Sequence, residues 1–350
     1  MGNTSIKTEK QIAVVILNWN GREMMRQFLP SVVRFSEELA DVIVADNAST
    51  DGSIEMLAAE FPTVKTIVLD QNYGFAEGYN RALAQVGHPY LLLLNSDVEV
   101  SEGWLRPLLS YMEENKDVAA CQPKLLSQRE KEMFEYAGAS GGFLDRYGYP
   151  FCRGRIFHVV EKDCGQYDDI KDVLWATGAA LMVRREDWVS SGGLDGRFFA
   201  HMEEIDLCWR LRNRGRRIVC VPQSVAYHVG GATLDQGNPR KTFLNFRNNL
   251  LMLYKNLPEA ELHSVMRTRA LLDYVAAFKF LATFDIPNFR AVLKARKEYK
   301  RMRPDFTPQR TENLLKTVNV SLPERMNCSI LWQFYARGKK TFNTLPYTQP

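Results

Sequence analysis

The 350-residue sequence predicts an α/β fold: a mostly parallel sheet flanked by helices, followed by a helical C-terminal extension. Two observations carry this. Through residue 122, short apolar runs alternate with segments of helical length, the rhythm of right-handed βαβ units. The runs are also apolar at successive positions, as in Leu91–Leu94, so both faces of each strand are expected to be buried.

The elements follow in order. Strands are expected at 12–17, 42–45, 65–69, 90–94 and 118–122, with helices at 23–35, 53–60, 75–85 and 104–112 between them. From 127 to 172 the pattern weakens, and 138–142 and 147–154 read as loops. Strand character returns at 173–176 and 179–183, a helix at 206–214, and short strands at 218–221 and 225–228. Helices are expected at 241–256, 259–281 and 286–301. The tail after Arg303 is polar and reads as loosely ordered at its end. The division is a catalytic domain over 11–240, with halves at 11–122 and 123–240, and a basic extension over 241–350.

Composition excludes several classes. No signal-peptide pattern and no apolar run of about 20 residues is present, so a cytoplasmic protein is expected. Six scattered cysteines with no C-x-x-C pair argue against a disulfide framework or structural zinc. Neither G-x-G-x-x-G nor a P-loop follows the first strand, which disfavours an NAD enzyme or NTPase. Residues 1–240 hold 26 Lys and Arg against 33 Asp and Glu, whereas 241–350 hold 19 against 8. That basic third could meet anionic lipid, an anionic substrate or nucleic acid.

The candidate functional residues sit where strands end. Carboxyl ends of parallel strands are where open α/β sheets bind ligands. Here they read Asn18-Trp19-Asn20-Gly21, then Asp46-Asn47-Ala48-Ser49, then Asn95-Ser96-Asp97. Asp46 could accept the imino N–H of a pyrimidine, while Asp51 and Ser53 read as turn and helix-cap chemistry. Asn72-Tyr73-Gly74 precedes a helix whose N-terminus suits a phosphate. Asp97 can supply the carboxylate that Mg²⁺ or Mn²⁺ needs beside phosphate oxygens. Glu203, Glu204 and Asp206 crowd a helix start, where carboxylates raise one another's pKa and suit a general base; an ordinary acidic helix start is the plainer alternative. His228 ends a strand before two glycines.

The series VILNWNG, VADNASTDGS, NYGFAEGYN, LLLLNSDVEV, TGAALMVRR, FFAHMEEIDLCWR and HVGGAT resembles glycosyltransferase family 2, most closely the bacterial rhamnosyltransferase-like members, over residues 11–256. The resemblance implies a GT-A fold with a Rossmann-like nucleotide half. It implies inverting transfer of a sugar from a nucleotide donor, with a divalent metal (Mg²⁺ or Mn²⁺), in surface polysaccharide assembly. It places Asp46 at the pyrimidine base, Asn18 and Asn20 near the nucleoside, and Asn72, Gly74 and Asn80 along the nucleotide pocket. Asn95-Ser96-Asp97 stands where the family has D-x-D, with Asp97 as metal ligand and His228 as a further one. Gly178 lies beside donor sugar and acceptor. Glu204 takes the base's place, where the family usually has Asp. No Q-x-x-R-W follows, which implies addition of a single sugar.

The implied partners are a nucleotide sugar (dTDP-rhamnose or a UDP-hexose), a glycan or lipid-linked acceptor, and no nucleic acid. Residues 270–284 are apolar and 286–303 basic, a pattern suited to the inner surface of a membrane. Packing on the domain or a partner subunit is the alternative, and Lys241 and Arg247 could instead face phosphates. The rival readings are a nucleotidyltransferase and a binding homologue without catalysis.

Overall fold

The computed structural model describes residues 10–230, 237–318 and 321–346; the end of the HVGGAT stretch (231–233) and the last four residues of the tail lie outside them. At its centre is a nine-stranded mixed sheet. Strands β1 (Ile12–Asn18), β2 (Ala40–Asp46), β3 (Lys65–Val68) and β4 (Tyr90–Leu94) run parallel. Helices α1 (Arg22–Ser36), α2 (Ser53–Glu60) and α3 (Gly74–Leu83) connect them. Then come β5 (Val98–Val100), α4 (Leu105–Glu114) and β6 (Val118–Ser127). The sheet is completed by β11 (Lys171–Asp172), β12 (Ala180–Arg184) and β13 (Arg217–His228), in the order β11-β13-β6-β12-β4-β1-β2-β3, with β5 on β13.

Side chains of successive strand residues point to opposite faces, and the core divides accordingly. Ala13, Val15, Leu91 and Leu93 join α3 and later elements on one face. Ile12, Val14, Ile16, Leu92 and Leu94 join α1, α2 and α4 on the other. Burial on both faces is what made these strands continuously apolar.

β12 runs antiparallel to both β4 and β6. Its first residues therefore lie at the edge where β4 ends, and Asn95 N donates to Ala179 O at 3.0 Å. One reversed strand thus brings Thr177 and Gly178 to the ligand-binding edge of the sheet.

The region expected to be loops is a second sheet. Strands β7 (Gly142–Asp145), β8 (Pro150–Cys152), β9 (Arg155–Ile156) and β10 (Val159–Val160) form it with the late strand β14 (Arg325–Met326). These strands are two to four residues long, too short for a readable alternation. Residues 173–176 are no strand; Trp175 makes only an isolated bridge to Gly142. The two short strands expected at 218–228 are one, β13, with a register shift between Val221 and Val225 around Pro222. Helix α5 (Arg185–Ser191) was not expected, and α6 (Glu203–Asn213) begins earlier than the pattern suggested.

The C-terminal helices are α7 (Pro239–Asn256), α8 (Glu259–Ala282), α9 (Ile286–Met302) and α10 (Thr307–Leu315). In the tail, α10 packs on α7, and residues 321–346 fold back onto the second sheet; the end expected to be loose lies outside the described residues. The buried Asp145 carboxylate receives N–H bonds from Tyr147 and Tyr149 at 2.8 Å and from Ile330 at 2.9 Å. Phe342 packs 4.9 Å from Phe143. A few anchors in a polar stretch suffice for this, and composition averages over them.

Candidate active site

The β1 and β2 ends form an internally bonded frame. Asn18 is fully buried; its Nδ2 donates to Asp46 Oδ1 (2.9 Å) and Ser49 Oγ (3.0 Å), and its Oδ1 accepts from Gly21 N. Asp46 Oδ2 accepts from Ser49 N at 2.8 Å. Both residues shape the Asn47–Asp51 loop rather than facing outward. Asn20, left-handed at φ 51°, accepts from Thr50 N. Asp51 accepts from Ser53 N, but the helix cap is Gly52 (φ 80°), one residue before Ser53. Between the two asparagines, Trp19 stands 52% exposed at the sheet edge.

The glycine turn is similarly built. Asn72 Oδ1 accepts from Gly74 N (2.8 Å) and from Asn47 Nδ2 (3.1 Å). Gly74 has φ 74°, and a Cβ there would fall 2.5 Å from the Phe199 ring, so both conformation and packing require glycine. Asn80 lies nearly two turns into α3 and bonds the Leu194 backbone through both ends of its amide, at 2.7 and 3.0 Å. Its polar atoms clamp this loop at the wall of a cavity of about 820 Å³ that Glu77 and Arg197 also line.

Around the β4 end the charges converge. His228 Nε2 lies 3.1 Å from Asp97 Oδ1 and 3.4 Å from Asn95 Nδ2. On the far side of the ring, Nδ1 lies 3.2 Å from Glu135 Oε1, an ion contact off the line of a good hydrogen bond. Burial disfavours a charged imidazole, but the Glu135 and Asp97 carboxylates outweigh it and push His228 up to about 10. Asp97 is lowered by His228 against the opposing effect of burial. The imidazolium occupies the place of a cation between two buried carboxylates. A divalent ion fits this chemistry: Asp97 and a neutral His228 would hold it, with Glu135 orienting the ring from behind. Among the described residues no three such ligands converge on one point. Two protein ligands leave room for phosphate oxygens and water. Ser96 Oγ lies near Gly21, joining this turn to the β1 frame.

The acids lie across the edge, at the start of α6. Glu203 is buried and Glu204 half-buried, and Oε2 of each has no hydrogen-bond partner among the described residues. Burial pushes Glu204 up to about 7, against stabilising backbone N–H groups. Glu203 is raised further, by burial and then by the charge of Glu204. A Cβ on Gly178 would stand 3.8 Å from Glu204 Cβ, so the sequence-expected pair is brought together. Asp206 is not with them. It is fully buried and bonded to Arg210 Nε (2.9 Å), Lys255 Nζ (2.7 Å) and Asn256 Nδ2 (2.8 Å). Two residues past Glu204 it faces inward, where it joins α6 to α7 and both of its oxygens are bonded by the protein.

Residues 13–160 match the model of glycosyl transferase family 2. The Mycobacterium tuberculosis N-acetylglucosaminyl-diphospho-decaprenol L-rhamnosyltransferase is 26% identical over 235 residues, covering 62% of this chain and 75% of that protein. The rhamnosyltransferase WbbL of Escherichia coli K12 is 29% identical over 163 residues, 45% of this chain and 61% of that one. Residues 13–160 form a glycosyl transferase family 2 domain. Its fold agrees: GalNAc-T7, solved with UDP, GalNAc and Mn²⁺, superposes with a TM-score of 0.56 at 15% identity, over 71% of this chain and 48% of that one. The main sheet and its helices have the GT-A fold.

The glycosyltransferase holds its acid pair with residues the sequence did not single out. Phe199, His201 and Met202, just before Glu203, have φ of 67°, 72° and 73°, unfavourable for non-glycine residues. Asn248 on α7 is fully buried and its Nδ2 donates to the carbonyls of Phe198 (3.0 Å), Ala200 (2.8 Å) and His201 (2.9 Å). From the other side, Phe199 O accepts from Phe75 N at 2.8 Å at the start of α3. The strained segment is thus clamped between the start of α3 and α7. Nothing local in FRNNL signals this, because the partners lie about 50 residues away. Replacing Asn248 by Ala is expected to lower kcat by roughly 100-fold, the scale of an ångström-sized misplacement. Nucleotide affinity should change little; single-turnover kinetics beside calorimetry separates the two.

Proposed function

We propose that this glycosyltransferase moves one sugar, with inversion, from a nucleotide sugar to a hydroxyl of a glycan or lipid-linked acceptor in polysaccharide synthesis at the bacterial cell envelope. The observation that carries this is the adjacent carboxylates Glu203 and Glu204, each with a buried oxygen that has no partner among the described residues, with Glu204 packed beside Gly178. Such groups are unfavourable unless a substrate completes them.

Glu204, ionised, takes the acceptor hydroxyl proton as that oxygen attacks the anomeric carbon. Glu203, whose ionisation is opposed by burial and then by the Glu204 charge, donates to substrate oxygens in its neutral form. Single displacement inverts the centre. Asp97 and His228 hold a divalent cation, Mn²⁺ suiting the mixed oxygen and nitrogen donors better than Mg²⁺. When bound, that cation neutralises the charge developing on the leaving diphosphate. Trp19 offers its exposed face to the base, and the Asp46–Asn18 frame fixes the loop beside it. The rhamnosyl relatives favour dTDP-rhamnose as donor, with UDP-hexoses next. The relative whose name carries a diphospho-decaprenol supports a lipid-linked acceptor. Work on such an acceptor would be done at the cytoplasmic face of the membrane. No helix among the described residues is long and apolar enough to cross one.

The test is a thermal-shift panel of dTDP-, UDP- and GDP-sugars with Mn²⁺, Mg²⁺ or chelator. A donor at about 100 times its Kd stabilises the native state by about 2.7 kcal/mol. A chelator-sensitive shift with one pyrimidine sugar nucleotide is expected. No shift with any of them, in a folded sample, would favour a binding homologue that has lost catalysis.

A further inference from the structure

Helix α8 has its polarity reversed. Its inward face carries Arg269 and Asp273, both buried. Asp273 pairs with Arg269 at 3.1 Å and with Arg296 of α9 at 2.5 Å. Its outward face carries Leu271, Tyr274, Val275, Phe278 and Leu281, all exposed, with Phe278 at 68%. These positions recur at three and four residues, so they form one continuous stripe. A helix facing water has the opposite arrangement.

The stripe runs to the tip of the α8–α9 hairpin. There Phe284, 89% exposed, sits just past the helix end in the left-handed conformation (φ 59°) that usually selects glycine. An unfavourable backbone therefore presents a large apolar ring to the outside. The charge around this surface is mostly positive: the nearby acids Asp285 and Glu298 are taken up by the start of α9 and by Arg301. Between residues 262 and 284 the sole acid is the buried Asp273. Arg267 and Lys279 stand four residues before Leu271 and four after Val275, on the same ridge, and both are exposed. Helix α9 adds exposed Arg290, Lys294, Lys297, Lys300 and Arg301.

We propose that the α8–α9 hairpin docks on an anionic lipid bilayer, with the Leu271–Leu281 stripe and Phe284 entering the interface and the flanking cations meeting the headgroups. A second copy of the chain fits less well. A two-fold contact sets a surface against itself, and here it would oppose like charges. The long side chains of Arg267 and Lys279 can lay their methylenes along the acyl boundary and keep their charges at the headgroups. Because α7, which carries Asn248, packs along α9, docking would anchor the block that positions the acid pair. The proposal adds to the lipid-linked acceptor reading and does not depend on it.

The test is flotation of the full chain, without donor or acceptor, on vesicles of phosphatidylcholine alone or with about 30% phosphatidylglycerol. The chain should float with the anionic vesicles and release in high salt. The triple change Leu271→Glu, Phe278→Glu and Phe284→Glu, at exposed positions, should cut the bound fraction at least about tenfold. Melting temperature and nucleotide binding should stay as they were. Equal flotation of the variant, or none by the wild type, overturns the proposal. So does a wild-type dimer in sedimentation that the triple change dissociates. Sugar transfer is not measured here, so a chain that floats but transfers nothing would count against the catalytic reading alone.

Discussion

With Glu204 replaced by Gln, turnover is expected to fall by roughly 100- to 10,000-fold, the usual worth of a general base, while the nucleotide sugar still binds. The amide keeps the shape and removes the proton acceptor. The pH dependence gives an independent check. The base acts when ionised, and burial pushes Glu204 up to about 7, so the wild-type rate should climb as pH rises through that value. A rate limb at that position should be absent from the residual activity of Glu204→Gln. Burial and then the Glu204 charge both raise Glu203, so a second negative charge beside Glu204 is disfavoured. Unchanged turnover in Glu204→Gln would remove Glu204 from the mechanism and leave Glu203 as the carboxylate to test.

Replacing Asp97 by Ala should abolish metal-dependent donor binding, with a loss above about 100-fold, since even outer-shell groups of metal sites contribute 10- to 100-fold. The change also strips His228 of one of its two carboxylate neighbours, and breaking such a buried pair destabilises by about 3–5 kcal/mol. Asp97→Asn keeps the shape and separates the two effects. Calorimetry of the nucleotide sugar with and without Mn²⁺ reads binding, and a melt reads folding. Full Mn²⁺-dependent affinity in a folded Asp97→Asn protein would overturn ligation by Asp97.

The central strands were legible because β1 and β4 are buried on both faces, and that demand leaves uninterrupted apolar runs. The acid pair was legible by its local crowding, and Asp97 by its place after Leu91–Leu94. Asp206 looked equivalent to its neighbours because sequence spacing gives the helix face but not what that face meets; the structure sets Lys255 and Arg210 against it. Asn18, Asp46 and Asn80 are at the expected places, yet their polar atoms serve the protein's own backbone and side chains. Both uses need the same residue types.

Local physics thus determined the βα rhythm, the carboxylates at the strand ends, the crowding of acids at Glu203-Glu204 and the basic C-terminal third. Each depends on residues within a turn or two of one another. Tertiary structure alone decided that β12 runs antiparallel and brings Gly178 to the site, that Asp97 and His228 meet across 131 residues, and that Asn248 clamps the loop before the acids from about 50 residues away. It also decided that α8 buries its ions and shows its phenylalanines. An apolar residue is written the same way whether it faces a core or a solvent boundary, and only the packed fold tells which side is which.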